Sequence, residues 1–263
     1  MTSGSHDSVP QLDTSVPHSA RVWNYWLGGK DNFAADREAG ERVRAVFPAI
    51  VDNARAQRAF LGRAIGFLAA ECGVRQFLDL GTGLPTADNT HEIAQAVAPE
   101  SRVVYVDNDP LVLVHARALL ASSPEGATSY VDADVRDTET VLREAAKTLD
   151  LDQPVAIIML GILGNIPDYD EARSIVADLV AAVPAGSYLV VNDGTNSSDE
   201  IAQGAQASTS AGGHAYALRT PAELTAYFDG LDLQDPGVVP TTRWRADDPG
   251  ASLDGYAGVA RKP

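Results

Sequence analysis

Apolar positions recur at three- and four-residue intervals from Ala20 to Cys72, a spacing that predicts helices. The pattern breaks at Leu27-Gly28-Gly29-Lys30-Asp31-Asn32 and again near Pro48. Beyond Asp52, the residues Ala56, Phe60, Ala64, Leu68 and Cys72 stand four apart, so one buried stripe runs along that segment. The rhythm then changes to short apolar runs: Gln76 to Leu80, Arg102 to Val106, Thr128 to Val131, Val155 to Leu160 and Ser187 to Val191. Between them, His91 to Val97, Leu111 to Leu120, Val141 to Leu149 and Ala172 to Val183 keep helical spacing. Strands alternating with helices of this length build βαβ units, hence a parallel sheet with helices on both faces. Two strand-like pieces close the chain, Leu231 to Thr242 and Gly255 to Ala260, with no helix between them to carry a parallel crossover. The pattern therefore predicts an α/β fold of seven strands, five parallel and two forming a C-terminal antiparallel hairpin.

In open sheets of this kind, ligands bind beyond the carboxyl ends of the strands, where the strand order reverses. The first strand ends Phe77-Leu78-Asp79-Leu80-Gly81-Thr82-Gly83, where glycines permit a sharp turn and close approach to a ligand. The second ends Val104-Tyr105-Val106-Asp107, and Asp107 lies 24 positions beyond Gly83. That spacing suits an acid accepting hydrogen bonds from ribose hydroxyls. The dinucleotide fingerprint G-x-G-x-x-G is incomplete, because Thr86 stands at its sixth position after Pro85. Asp79, two residues before Gly81, would repel a pyrophosphate but suits a ligand carrying an ammonium and a sulfonium. Charge thus favours S-adenosylmethionine over a nicotinamide dinucleotide.

These residues resemble the S-adenosylmethionine-dependent class I methyltransferases, and more closely a bacterial branch formerly catalogued as a domain of unknown function. The likeness is carried by Trp23 to Asn32, Gln76 to Thr86 and Val104 to Pro110, then by Arg219-Thr220-Pro221, Pro236-Gly237 and Trp244. The resemblance implies a Rossmann-like methyltransferase sheet with an N-terminal helical lid. It implies that Asp79, Gly81, Thr82 and Gly83 hold the methionine part of the cofactor. By the same likeness Asp107 and Asn108 take the ribose side, Asp134 and Val135 the adenine edge, and Leu160 and Gly161 the floor near the sulfonium. Tyr25 and Asn32 correspond to the lid over the cofactor. Many small-molecule methyltransferases carry His where this chain has Gly164 in Leu160-Gly161-Ile162-Leu163-Gly164-Asn165-Ile166-Pro167-Asp168, so any help from that His is missing. The stretch also lacks the Asn- or Asp-Pro-Pro-aromatic pattern of enzymes that methylate amino groups on bases.

Composition narrows the partner. The 263 residues carry 20 Lys and Arg against 36 Asp and Glu, a net charge of −16, with no basic cluster of the kind a nucleic acid requires. A small-molecule acceptor, methylated at oxygen or nitrogen, is the expectation. No apolar run is long enough to span a bilayer, and Met1 to Pro17 reads as a polar, disordered tail without signal-peptide order. A cytoplasmic location is expected, with residues 18–263 as one domain: a helical cap over 18–72 and the core over 73–263. A homodimer stays open. Cys72, the single cysteine, reads as a small core residue.

Candidates for the chemistry are few. Asp193, after Asn192 at the end of the fifth strand, and His214 in Ala211-Gly212-Gly213-His214 could each accept a proton. Asp193 reads equally well as a turn residue before Gly194, His214 as a surface residue, and His91 as a structural hydrogen-bonding group. Asn192 and Asp193 supply only part of a metal-binding set, so no metal is expected. Two other readings stay open: a non-catalytic cofactor-binding protein, and a fold member using the cofactor for chemistry other than methyl transfer.

Overall fold

Three helices precede the first strand: α1 (Ser19–Trp26), α2 (Ala34–Val46) and α3 (Ile50–Ala70). Their breaks fall where Gly28 takes a left-handed φ of +79° and where Pro48 follows α2. The chain then runs β1 (Gln76–Leu80), α4 (Thr90–Val97), β2 (Arg102–Asp107), β3 (Ala127–Asp132), α5 (Thr138–Ala145) and β4 (Ala156–Leu160). It continues through α6 (Tyr169–Ala181), β5 (Tyr188–Gly194), α7 (Asp199–Ser210), α8 (Pro221–Thr225), β6 (Asp232–Leu233), β7 (Val239–Pro240) and β8 (Gly255–Arg261). This computed structural model describes residues 13–85, 88–112, 122–210, 215–248 and 250–263. Of the expected helix at Leu111 to Leu120, only the opening residues are described.

The sheet order is β3-β2-β1-β4-β5-β8-β6, with β7 also paired to β8. The first five strands are parallel, and β8 inserts antiparallel beside β5. The expected hairpin is corrected in one respect. Its first piece splits into β6 and β7, giving eight strands instead of seven. Pro236 has no N–H for a ladder, and Gly237 turns the chain at φ +83° with its N–H on the Gln234 carbonyl at 2.8 Å.

Central strands are buried on both faces, which explains their continuous apolar runs. In β4, Ile157 and Met159 face one core, while Ala156 and Ile158 face the other. The first core is closed by Val141 and Ala145 of α5 and by Ala172, Ile175, Val176 and Leu179 of α6. The second is closed by α3 through Phe60, Ala64, Ile65 and Leu68, so α3 is also a layer of the core, while α1 and α2 lie over the strand ends. Cys72, expected on the α3 stripe, sits beyond the helix end, half-buried against the same core. Trp244 fills this face, edge-on to Phe60 at 5.3 Å and Phe67 at 5.9 Å. Arg63 of α3 donates to the Trp244 and Thr241 carbonyls at 2.7 and 2.8 Å, fixing that loop.

The cap is fastened by buried charge. Arg21 of α1 lies 3.4 Å from Asp36 of α2, and His18 pairs with Asp109 beyond β2 at 2.9 Å. Arg21 also donates to the carbonyls of Asp13 and Val16, so the chain just before α1 runs along the cap. Helix α7 packs on α2, where Gly204 lets Phe47 come close.

Candidate functional site

A cleft opens at the carboxyl ends of β1 to β4. Gly81 and Gly83 take φ of +65° and +66°, and a Cβ at Gly81 would overlap Ile162, so this turn requires glycine. The Gly83 N–H donates to Asp107 Oδ2 at 2.8 Å, and the Asp109 N–H to Oδ1 at 2.9 Å. Asp107 therefore pins the turn from the neighbouring strand while lining the cleft. Asp79 is only 7% exposed and accepts from Thr90 Oγ1 at 2.6 Å. Burial lifts its carboxyl to about 6, against the opposing effects of Thr90 and Arg58, and the charge of Asp107 adds to the rise. Burial likewise raises Asp107, although the N–H groups of Asp109 and Gly83 oppose it.

Asp79, Gly81, Thr82, Gly83, Asp107, Asn108, Asp134, Val135, Leu160 and Gly161 all line this one cleft. Tyr25 and Asn32, expected at the lid, do not. Tyr25 lies against Gly40 and donates to Glu41 at 2.6 Å. Asn32 instead orders the loop, donating to Asn24 Oδ1 and the Gly29 carbonyl, both at 2.9 Å. Ser19, Ala20, Trp23 and Asn24 of α1, with Leu27 just beyond its end, face the cleft, joined from α3 by Gln57, Arg58 and Leu61. The spacing 20, 23, 24, 27 is one helical face and was visible in the sequence. Gly29 is needed here, because a Cβ would overlap the Asn24 side chain. Thr86 and His214 lie outside the described residues.

A second chamber adjoins the first. Helix α1 is the wall between them, with Val22, Trp23 and Trp26 facing the new space. Val43, Phe47, Ile50, Ile201 and Leu218 add apolar wall, and Asn53, Gln57, Asn192, Asp193, Tyr216 and Thr241 add polar groups. The cavities share His18, Ser19, Trp23, Gln57, Gly161 and Asn165. No Lys or Arg lines the second chamber among the described residues. Its volume, counting the open mouth, is about 1100 Å³, against about 1590 Å³ for the cleft.

Asp193 sits on the chamber floor near the end of β5. Its Oδ2 accepts the Gly164 N–H at 3.0 Å, and Oδ1 accepts from the Gly194 N–H and the Tyr216 hydroxyl. Burial lifts its carboxyl to about 7, against those N–H groups and Arg219. A Cβ at Gly164 would overlap the Tyr216 ring, so the glycine that stands where related enzymes carry His makes room for a tyrosine. Asn192 is saturated: it donates to Thr241 at 2.6 Å and the Tyr256 carbonyl at 3.0 Å, and accepts from Gln57 at 2.7 Å. His91 has the structural role expected of it, bonded to the buried Tyr105 hydroxyl at 2.8 Å.

A family model described as S-adenosyl methyltransferase matches residues 5–263. The chain belongs to the S-adenosyl methyltransferase family. It is 45% identical to a DUF574 family protein from Streptomyces avermitilis, covering 95% of this chain and 99% of that one at a TM-score of 0.92. A protein from Thermobifida fusca is 41% identical over 98% of this chain and 99% of its own, at 0.88. A methyltransferase from Anabaena variabilis, at 12% identity, 74% and 80% coverage and a TM-score of 0.51, shares the fold alone. No curated protein matches.

The cofactor of this methyltransferase family is S-adenosylmethionine, and the cleft fits it. Two buried carboxylates flank a glycine turn, and their proton affinity stays raised even with Arg58 acting on Asp79, so the pair still favours added positive charge. An ammonium and a sulfonium supply that charge, and ribose hydroxyls supply donors. Leu84, Val106, Val135, Leu160, Ile162 and Ile166 add apolar lining to the cleft.

Proposed function

We propose that this chain transfers a methyl group from S-adenosylmethionine to oxygen or nitrogen of a small molecule held in the second chamber. The observation that carries the reading is the junction of the two cavities at Gly161, Gln57, Asn165 and Trp23. Displacement at carbon requires nucleophile and methyl group to meet in line, and two pockets that share lining residues support that reading. When bound, S-adenosylmethionine supplies a methyl carbon already activated by its sulfonium.

The chain's own residues do the rest. Asp79, positioned by Thr90, holds the cationic end, and Asp107 takes ribose hydroxyls on the lone pairs left by Gly83 and Asp109. Gln57 is fixed at the junction by Asn192, and a Cβ at Gly161 would stand 2.9 Å from its amide nitrogen, so the glycine keeps the passage open. Helix α1 screens both cavities from water.

Calorimetry with S-adenosylmethionine, S-adenosylhomocysteine and NAD tests this reading. Binding of the first two alone is expected. Binding of NAD alone, or of none of the three, overturns it. With cofactor binding established, release of labelled methyl into a panel of small acceptors distinguishes a transferase from a cofactor-binding protein without a working acceptor site.

A further inference from the structure

We infer that the second chamber takes a neutral, largely apolar acceptor bearing a hydroxyl group, and that the hydroxyl is received by Tyr216. This rests on the methyl-transfer reading and names its substrate class. The first ground is charge. Asp193 and His18 are the ionisable acid and base in the lining apart from Tyr216, and His18 is already paired with Asp109. A carboxylate or phosphate on the acceptor would face Asp193 with no Lys or Arg in the lining, among the described residues, to balance it, a costly burial.

The second ground is the wall. Two indoles, Trp23 and Trp26, stand edge to face at 5.5 Å beside Val43, Phe47 and Ile50, a surface that rewards a flat hydrocarbon body. The third is the distribution of hydrogen-bonding capacity on the floor. Asn192 and the Gln57 amide nitrogen are committed to each other and to the fold. Asp193 is committed to Gly164, Gly194 and Tyr216. Since Tyr216 donates its proton to Asp193, its oxygen presents lone pairs, which the Gly194 N–H approaches at 3.4 Å. A phenolic oxygen in this state accepts a hydrogen bond, so it selects a donor on the ligand. Gly164 holds the ring in place, because any side chain there would displace it. Burial raises the Asp193 carboxyl, and Arg219 together with the N–H groups of Gly164, Gly194 and Leu163 opposes that rise, favouring the ionised form that receives the Tyr216 proton.

The test uses 2-naphthol, 2-naphthoate and naphthalene as probes on the full chain saturated with S-adenosylhomocysteine, read by tryptophan fluorescence and calorimetry. Naphthol is expected to bind about tenfold more tightly than naphthoate and several-fold more tightly than naphthalene. Tyr216→Phe is expected to erase the advantage over naphthalene while leaving S-adenosylhomocysteine affinity unchanged, which also shows that the variant folds. Ala205→Arg, a half-buried lining position on α7, is expected to shift preference toward naphthoate and so locate the probe in this chamber. Naphthoate binding as tightly as naphthol, no naphthol binding up to about 1 mM, or a Tyr216→Phe variant that keeps its preference would each overturn the inference. Loss of S-adenosylhomocysteine binding by the unmutated chain would instead overturn the methyl-transfer reading.

Discussion

Replacing Asp79 by Asn is expected to stabilise the free protein and weaken cofactor binding at the same time. The carboxyl is 7% exposed, and burial moves it from 3.8 to about 6. Each unit corresponds to about 1.4 kcal/mol, so holding Asp79 ionised in the empty cleft at pH 7 or above costs about 3 kcal/mol. Asparagine removes that cost and still accepts from Thr90, which predicts a gain of roughly 1 to 3 kcal/mol and a melting temperature higher by about 3 to 8 °C for a chain of this size. A hydrogen bond to a charged partner is worth about 1.5 to 3 kcal/mol, so affinity for S-adenosylmethionine should fall by roughly ten- to a hundredfold. The neutral-sulfur product should lose less, because a second positive charge within roughly 10 Å adds about 1 to 2 kcal/mol at an effective dielectric near 20. The native protein should also lose affinity as pH drops below about 6, where the incoming cation must displace a proton, and the variant should not. Differential scanning calorimetry gives the stability, and titration calorimetry in buffers of different ionisation enthalpy gives affinity and proton release. A lower melting temperature with unchanged affinity, or equal losses for the two ligands, would refute the reasoning.

Four other substitutions probe separate parts of the structure. Asn24→Ala frees the 29–32 loop that Asn24 orders through Asp31 and Asn32, and should weaken cofactor binding by about 1 to 2 kcal/mol with little change in circular dichroism. Gly164→Ala should push the Tyr216 ring off its seat and destabilise the fold by about 1 to 3 kcal/mol, seen in urea unfolding; an unchanged midpoint would show that the ring moves freely. Asp193→Asn tests linkage: burial raises the folded carboxyl to about 7, so the folded state binds the extra proton between about pH 4 and 7. Stability from this group is therefore full near pH 4 and falls toward pH 7, by about 4 kcal/mol at most, and the variant should show a flatter profile. Trp244→Ala opens a cavity between α3 and the sheet and should cost about 3 to 5 kcal/mol in chemical denaturation.

The core was readable because strands sealed on both faces leave uninterrupted apolar runs, and because helices on such a sheet keep a strict stripe, as Ala172, Ile175, Val176 and Leu179 do. The C-terminal strands were less readable. Val238, Val239 and Thr241 carry strand propensity across a turn whose Pro236 and Gly237 decide the pairing, so the chemistry of the turn overrode the apolar pattern on either side. The same reasoning could have placed the break at Pro236, where the missing N–H coincides with the Gly237 turn, whereas Pro240 still pairs within β7.

The cleft and the chamber differ in legibility for a physical reason. Strand-end residues such as Asp79 and Asp107 belong to one local unit, a strand followed by its turn, so their roles follow from sequence spacing. On α1, the phase of the helix decides: Asn24 and Trp23 face the cleft while Tyr25, one position on, turns about 100° away to Glu41. A motif read without that phase selects the wrong neighbour. The chamber has no local unit at all. Trp26, Phe47, Ile50, Asp193, Ile201 and Tyr216 converge from six separate segments, and nothing in the spacing between Asp193 and Tyr216 announces that they touch. In the sequence, Gly164 shows only that any help a His gives at this position in other methyltransferases is missing. Set beside Tyr216, it becomes the space into which another segment places a ring and a hydroxyl. The chamber proposed for the acceptor is therefore assembled by tertiary contact beside a cleft written into the strands, so its wall can change by substitution in α1, α2, α7 and the 215–218 segment while Asp79 and Asp107 stay where they are.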